Sequence, residues 1–245
     1  MTTLVIGASG ATGRLLVRQL LDRGEPVRAI VRTPQALEQL AGDKGLSLIQ
    51  AGVSDLADAD LARYVSGCTA IASCLGHTMS LKGIYGPPRR LVADAVRRLC
   101  QAVKASPPAA PVRFVLMNTA GNRNRDLAEP VPFAQRCVVG LVRALVPPHA
   151  DNEQAAAYLR TAIGQNHGAV QWVVVRPDSL VDQDAVTAYE AHPSPIRSAI
   201  FDAGKTSRIN VAHFMAELVM GGETWQRWQG RMPVLYNAAA CRHPE

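Results

Sequence analysis

Three glycines near the N-terminus have a spacing that suits the binding of phosphate groups. Gly7, Gly10 and Gly13 follow a short apolar run and precede residues with helical spacing. A strand, a tight glycine turn and a helix together bring backbone N–H groups and the positive end of a helix dipole toward an anion. Gly7 permits the turn, Gly10 lets a pyrophosphate approach the backbone, and Gly13 lets the helix pack on the strand. A plain strand-to-helix connection is the alternative, but this context predicts a dinucleotide site.

A basic residue at the end of the second predicted strand bears on which dinucleotide binds. That strand, 27–32, ends at Arg32, and the next acidic residue is Glu38. An acid at this position binds the ribose 2′-hydroxyl of NAD, whereas an arginine accommodates the 2′-phosphate of NADP. We therefore expect NADP(H), with NAD(H) less favoured, and Arg14 as a second guanidinium within reach of the same phosphate. The alternative interpretation of Arg32 is a solvated residue at a strand end.

Loops that follow the other strands supply further candidate contacts. Asp55, after the third strand, could accept a hydrogen bond from the adenine amino group, or it could be an ordinary loop or capping residue. The residues predicted to bind the cofactor are Gly7, Ala8, Ser9, Gly10, Ala11, Thr12, Gly13, Arg14, Arg32, Thr33, Asp55, Leu75, Gly76 and Thr119.

Strands and helices alternate along most of the chain. After the N-terminal strand, further strands are predicted at 27–32, 46–50, 70–75, 112–118, 171–176 and 233–237. Helices are predicted from the glycine turn to 23 and at 35–40, 58–65, 89–105, 133–146, 151–163 and 211–220. This alternation predicts an α/β fold with a doubly wound parallel sheet, whose ligands lie beyond the carboxyl ends of the strands. Residues 1–177 are expected to form the Rossmann domain, and 178–245 a small substrate lobe packed on it.

The remaining segments are less regular. We predict loops at 77–88 and 122–132, and a loop-rich cap at 178–207. The helix at 133–146 is strongly apolar, which suits either a packing helix or a substrate wall or dimer contact.

Composition limits the classes of function. The chain has 245 residues, of which 48% are hydrophobic and 19% charged, and a formal net charge of +6. No Lys/Arg run is longer than a pair, so the positive charge favours attraction of a phosphorylated cofactor over binding of nucleic acid. Five cysteines without a C-x-x-C motif argue against zinc and for reduced thiols. With no signal peptide or membrane span evident, we expect a cytoplasmic monomer or homodimer without bound metal.

Three motifs together resemble a known family. They are Gly-Ala-Ser-Gly-Ala-Thr-Gly at 7–13, Val-Arg-Thr-Pro at 31–34 and Val-Val-Arg-Pro at 174–177. The chain resembles the atypical short-chain dehydrogenase/reductases, which include NmrA-like proteins and biliverdin-IX-beta-reductase-like enzymes. Ser-Arg-Ile-Asn-Val-Ala at 207–212 also looks like the motif that precedes the C-terminal helix of this family. The resemblance implies an NAD(P)-binding Rossmann domain with a small C-terminal substrate lobe.

The chain departs from the catalytic pattern that this resemblance implies. Typical members carry a serine after the fifth strand and then Tyr-x-x-x-Lys, where the tyrosine gives a proton to the substrate carbonyl. Thr119 stands in place of the serine, and Asn152 falls near the expected lysine. Tyr158 is followed four residues later by Ala162, so the usual pair is missing.

Three residues are therefore the catalytic candidates. His149 is the titratable group nearest to the missing tyrosine, and an imidazole with an ordinary pKa of about 6.5 suits proton transfer. Asn152 could hold the nicotinamide ribose, and Thr119 could orient a carbonyl oxygen. The alternatives are a capping or surface role for His149 and simple packing for Thr119.

Other polar residues have two interpretations each. Asp151 is expected to be an N-cap of its own helix, and His77 could line the same pocket. Arg176 could contact substrate or form a structural ion pair. Arg89 and Arg90 fit a solvated helix start better than a substrate site.

Two functions are consistent with these patterns. The first is an NADP(H)-dependent reductase of a small carbonyl, quinone or similar acceptor, whose substrate the sequence does not identify. The second is a non-catalytic NADP(H)-sensing regulator of NmrA-like type, which the missing Tyr-x-x-x-Lys favours.

Overall fold

The computed structural model describes residues 2–77, 80–129, 140 and 146–238. Within them the strands are β1 (Thr3–Ile6), β2 (Val27–Val31), β3 (Leu46–Gln50), β4 (Ala70–Ser73), β5 (Val112–Met117), β6 (Val170–Pro177), β7 (Ser179–Val181), β8 (Tyr189–His192), β9 (Lys205–Ser207) and β10 (Val234–Asn237). The α-helices are α1 (Ala11–Asp22), α2 (Asp58–Val65), α3 (Leu81–Tyr85), α4 (Leu91–Ala105), α5 (Pro147–Tyr158), α6 (Arg208–Met220) and α7 (Gly222–Trp228). A 3₁₀ helix spans Pro34–Leu40, and α5 continues into a π-helical turn at Leu159–Ile163.

Eight strands form one sheet in the order β3-β2-β1-β4-β5-β6-β10-β8. Every pair in it is parallel except β10 with β8, which is antiparallel at one edge. The order reverses between β1 and β4, where a doubly wound sheet opens a crevice at the carboxyl ends of its strands. The predicted α/β class and Rossmann-type sheet are confirmed.

The sheet is covered on both faces, which explains the near-continuous apolar character of its strands. One buried cluster joins the sheet to α2, α4 and α5, with Leu61, Leu99 and Ala155 fully buried. The other joins it to α1 and α6, with Leu16 and Met215 fully covered. The crevice therefore lies on a rigid three-layer support.

The segment from 178 to 207 is more regular than predicted. It contains β7, β8 and β9 rather than loop alone; β7 pairs with β9 in a separate parallel ladder, and β8 joins the main sheet through β10. These strands have only three or four residues, too few to produce a clear alternating pattern. The predicted boundary at 177 stays a prediction.

Several helix ends also differ from the predicted ones. Helix α5 begins at Pro147 rather than 151, because proline needs no N–H partner in the first turn. Helix α6 begins at Arg208 rather than 211, since the Ser207 hydroxyl accepts a hydrogen bond from the Asn210 N–H at 3.3 Å. Helices α3 and α7 were not predicted.

The predicted apolar helix at 133–146 lies almost entirely outside the described residues, so its role stays a prediction. Among the helices that the structure describes, none has the length and apolar character needed to cross a membrane.

Candidate NAD(P)H-binding site

A cleft of about 360 Å³ opens at the carboxyl ends of β1 to β4, beside the point where strand order reverses. Gly7, Ser9 and Gly10 form one wall, and residues 51–55 form the opposite one. A volume of this size suits part of a nucleotide-sized ligand, with the rest extending along the surface.

Two glycines in the first wall are required by close backbone packing. Gly7 has a φ of +71°, and a Cβ there would lie 2.5 Å from the Cys74 carbonyl carbon. A Cβ on Gly13 would lie 2.9 Å from the Ala8 Cα and closer still to the Gly7 carbonyl oxygen. These contacts bring the end of β1, the start of α1 and the end of β4 together without side chains between them.

The N-terminus of α1 is arranged to receive an anion. Gly10 is the N-cap residue, and within the described residues no side-chain cap bonds to the first turn. The first N–H groups of a helix have no partner within it, so a phosphate can occupy this place. The glycine loop therefore fits the pyrophosphate of a dinucleotide.

Arg32 follows β2 and lies on the rim of the same cleft. It is exposed, and no hydrogen bond or ion pair joins it to another residue in the described part of the chain. Gly52 lies beside it: a Cβ there would be 3.7 Å from the Arg32 Cγ and 3.1 Å from the Asp55 carboxyl carbon. The Asp55 N–H also donates to the Gly52 carbonyl at 2.9 Å. The side chains of Arg32 and Asp55 thus both lie beside the tight turn at Gly52.

The predicted cofactor residues divide into two groups. Those that line the cleft are Gly7, Ser9, Gly10, Arg32, Asp55, Leu75 and Gly76. Those that do not line it are Ala8, Ala11, Thr12, Gly13, Arg14, Thr33 and Thr119. Arg14 and Thr33 are exposed nearby, whereas Ala8, Thr12 and Gly13 are buried beneath the glycine turn. Pro88 and Leu91 also line the cleft and were not predicted.

A buried carboxylate connects the cleft to two helices. Asp151, in α5, accepts hydrogen bonds from the Val92 and Ala93 N–H groups at 2.8 and 2.9 Å. His77 lines the cleft, and its Nε2 lies 2.8 Å from Asp151 Oδ2 while its Nδ1 lies 3.1 Å from the Gly83 carbonyl oxygen. Asp151 therefore caps α4 and not its own helix, because the fold brings the start of α4 against α5.

Two of the three catalytic candidates meet at one glycine. A Cβ on Gly121 would lie 3.5 Å from His149 Cε1 and 3.7 Å from Thr119 Oγ1. The His149 side chain is only 12% exposed, and its Nε2 lies 3.5 Å from Glu153 Oε1. Thr119 Oγ1 accepts a long hydrogen bond of 3.3 Å from the Gly121 N–H. His149 is thus not a surface residue, although its catalytic role stays a prediction.

The third candidate, Asn152, lies three residues after His149 on the same helix, α5. Its carbonyl oxygen accepts a hydrogen bond from Asn118 Nδ2 at 2.9 Å and a longer one from Asn122 Nδ2 at 3.5 Å. These bonds fasten α5 to the loop after β5 and so hold His149 beside Thr119.

Burial raises the pKa of two other titratable side chains, of which Cys74 lines the cleft and Tyr158 does not. Burial raises the pKa of the Cys74 thiol to about 12, so it stays protonated and weakly nucleophilic at neutral pH. Tyr158 packs with the cluster that contains α4, and burial raises the pKa of its phenol as well. Neither residue replaces the missing tyrosine.

Arg176 forms a structural ion pair. Its Nη2 donates to Glu129 Oε1 at 2.8 Å, and the two side chains are 0% and 1% exposed. Its other donors bind the carbonyl oxygens of Met232, Asn122 and Pro193. Arg89 and Arg90 are exposed, as expected for solvated residues.

Three solved structures illustrate the proteins that share this fold. The oxidoreductase ylbE from Lactococcus lactis is 16% identical, with a TM-score of 0.69, and the match covers 98% of this chain and 92% of that one. A Rossmann-fold NAD(P)-binding family protein from Shigella flexneri is 17% identical, with a TM-score of 0.66, covering 100% and 97%. ChuY, an anaerobillin reductase from Escherichia coli O157:H7, is 16% identical, with a TM-score of 0.68, covering 100% of both chains.

No curated protein sequence is significantly similar to this chain. Residues 7–220 nevertheless match a family model described as NAD(P)H-binding, and the match begins at the first glycine of the cleft. This chain belongs to the NAD(P)H-binding family of Rossmann-fold proteins.

Proposed function

We propose that this protein is an NADP(H)-dependent reductase of a small carbonyl, quinone or similar acceptor. The observation that carries the proposal is the pairing of two features on one cleft: a helix N-terminus without a side-chain cap, and the exposed guanidinium of Arg32. The first suits a pyrophosphate, and the second suits the additional phosphate that distinguishes NADP from NAD. Names of two similar structures, an oxidoreductase and an anaerobillin reductase, favour reduction.

In this proposal, individual residues of the chain would have the following roles. The backbone of 7–13 binds the pyrophosphate, and Arg32 binds the 2′-phosphate. A bound reduced nicotinamide supplies the hydride. Thr119 orients the acceptor oxygen, and His149, held close to it beside Gly121, donates the accompanying proton. The hydrogen bonds to the Asn152 carbonyl oxygen hold α5, and with it His149, close to Thr119.

Replacing Arg32 by alanine should weaken NADPH binding at least about tenfold, because a charge-assisted contact with the phosphate is lost. NADH affinity should change by less than about twofold, since NADH lacks that phosphate. Arg18→Ala is the matched control, because it removes one exposed positive charge from α1 outside the cleft. Titration calorimetry with both nucleotides measures the effect. Equal losses of NADPH and NADH affinity in Arg32→Ala would contradict the assignment.

Replacing His149 by glutamine should lower kcat by about a hundredfold, the usual scale for loss of a general acid. NADPH affinity should stay within about twofold, since His149 does not line the cofactor cleft. His167→Gln is a suitable control, because the contacts of that ring in the described part of the chain are with the Ala169 and Val170 N–H groups, just before and at the start of β6. An unchanged kcat in His149→Gln would remove it from the mechanism.

A non-catalytic NADP(H) sensor is the second candidate, favoured by the missing Tyr-x-x-x-Lys. The two functions separate when purified protein is mixed with NADPH and a panel of quinones, flavins and aldehydes while absorbance at the nicotinamide band is followed. Oxidation of NADPH with any acceptor supports the reductase. Tight NADPH binding without oxidation supports the sensor, and failure to bind either nicotinamide nucleotide excludes both.

A further inference from the structure

The wall of the cleft opposite the glycine loop is an irregular segment, 51–57, between β3 and α2. Its first five residues line the cleft. It begins with the Ala51 N–H bound to the Val31 carbonyl and turns through the bond between Asp55 and Gly52. Among the described residues, 51–56 form no other backbone–backbone hydrogen bond, so contacts from side chains must hold the shape of this wall.

A single guanidinium from α4 binds most of this segment. Arg98 Nη1 donates to the Val53 carbonyl at 3.2 Å and makes a longer contact of 3.5 Å with the Ser54 carbonyl. Its Nη2 donates to the Leu56 carbonyl, and its Nε donates to Asp58 Oδ1 at 2.8 Å. The side chain is only 21% exposed. All three nitrogens of a rigid, planar donor group are therefore directed at one stretch of six residues.

Arg98 does not itself line the cleft; it lines a smaller neighbouring cavity, to which Val53 and Ser54 also contribute. Its neighbour Arg97 provides a contrast on the same helix. Arg97 lines the same small cavity, but it is 48% exposed, and its ion pair within the described part of the chain is with Asp94, one turn earlier, at 2.7 Å. The two arginines have the same charge and length, but among the described residues only Arg98 donates hydrogen bonds to the segment 51–57.

We propose that Arg98 is a positioning residue for the adenosine half of the cofactor. By fixing the carbonyls of Val53, Ser54 and Leu56 before binding, it holds Gly52 and Asp55 in the shape that receives the adenosine. Binding then requires less ordering of the wall, and preorganisation of this kind raises affinity without a direct contact. The inference rests on the proposed function, in which the cleft binds NADP(H) with its adenosine end at 51–55.

The test compares the two halves of the cofactor on matched variants. Calorimetry with NADPH, adenosine 2′,5′-bisphosphate and reduced nicotinamide mononucleotide is carried out on the unmodified protein, Arg98→Met, Arg98→Lys and Arg97→Met. We expect Arg98→Met to weaken NADPH and the bisphosphate by about tenfold, equivalent to about 1.4 kcal/mol. The mononucleotide should be unaffected. Arg98→Lys should resemble Arg98→Met, because one ammonium cannot span four acceptors. Arg97→Met should match the unmodified protein for all three ligands.

Hydrogen exchange gives a readout that a general loss of stability would not reproduce. In Arg98→Met, amide exchange should accelerate in 51–57 and stay unchanged in β1 and α1, and bound bisphosphate should restore protection. If Arg98→Met does not fold, Asp58→Asn removes one partner of the guanidinium and should give a smaller loss with the same selectivity.

Two results overturn the inference while leaving the proposed function intact. One is bisphosphate affinity in Arg98→Met equal to that of the unmodified protein. The other is an equal loss of mononucleotide and bisphosphate affinity, which would indicate general loosening. If the unmodified protein binds neither NADPH nor the bisphosphate, the proposed function fails, and this inference fails with it.

Discussion

Replacing Gly13 by alanine is expected to lower NADPH affinity by about a hundredfold, or about 2.7 kcal/mol. The added methyl would meet the Gly7 carbonyl oxygen and lie 2.9 Å from the Ala8 Cα, and both are backbone atoms. Backbone cannot rotate aside as a side chain can, so α1 must move away from β1 and carry its N-terminal N–H groups out of place. The affinity is measured by calorimetry, and the melting temperature is expected to fall as well.

Two further glycine variants test that explanation. Gly10→Ala places a Cβ 3.3 Å from the Gly7 carbonyl oxygen, a contact that small shifts can relieve, so its loss of affinity should be intermediate. Gly42→Ala adds a methyl to open space at an exposed position and should bind NADPH normally. If Gly13→Ala bound NADPH as tightly as Gly42→Ala, the glycine turn would not be the pyrophosphate site.

Replacing Glu129 by glutamine should lower the free energy of unfolding by about 3–5 kcal/mol, the usual effect of removing one partner from a buried ion pair. Arg176 would keep its charge with no carboxylate beside it, and its side chain is 0% exposed. Urea denaturation measures the change. Because Arg176 also binds the Asn122 carbonyl, the loop beside Thr119 and Gly121 should become more mobile. The kcat for reduction of the acceptor should therefore fall by a larger factor than the affinity for NADPH.

The double variant Glu129→Gln/Arg176→Met should be more stable than Glu129→Gln alone, since it removes the unpaired charge together with its partner. Arg197→Met is the surface control: Arg197 pairs with Asp202, the two side chains are 48% and 61% exposed, and no measurable change is expected. A stability of Glu129→Gln equal to that of the unmodified protein would show that the buried pair does not stabilise the fold.

The first strand, the glycine turn and α1 could be predicted because their signal is local. Each glycine acts through its own backbone conformation or its nearest neighbours, and the flanking apolar periodicity is contained in about twenty residues. The same holds for β2 and β4 to β6, whose buried apolar runs identify them without reference to their partners. The short strands β7 to β9 could not be predicted in this way, because three or four residues carry almost no pattern.

The connections around the cleft could not be predicted from the chain alone. Asp151 looked like the cap of its own helix, yet it caps α4, whose first turn is 58 or 59 residues away in the chain. Arg98 had no signal to distinguish it from Arg97, since both are basic residues on one amphipathic helix. For Arg176 the sequence left two equal interpretations, and the buried ion pair with Glu129 decides between them.

The α/β class and the order of the main strands and helices follow from the sequence, and the glycine spacing predicts where a dinucleotide binds, because hydrophobic periodicity and glycine spacing are properties of contiguous residues. Tertiary structure alone decided which charged side chains are buried together. Hydrogen bonds and ion pairs depend on distances of about 3 Å between side chains from different elements, and those distances exist only after the sheet and its helices have packed. The packing places His149 beside Thr119, Asp151 at the start of α4, and Arg98 against residues 53–58.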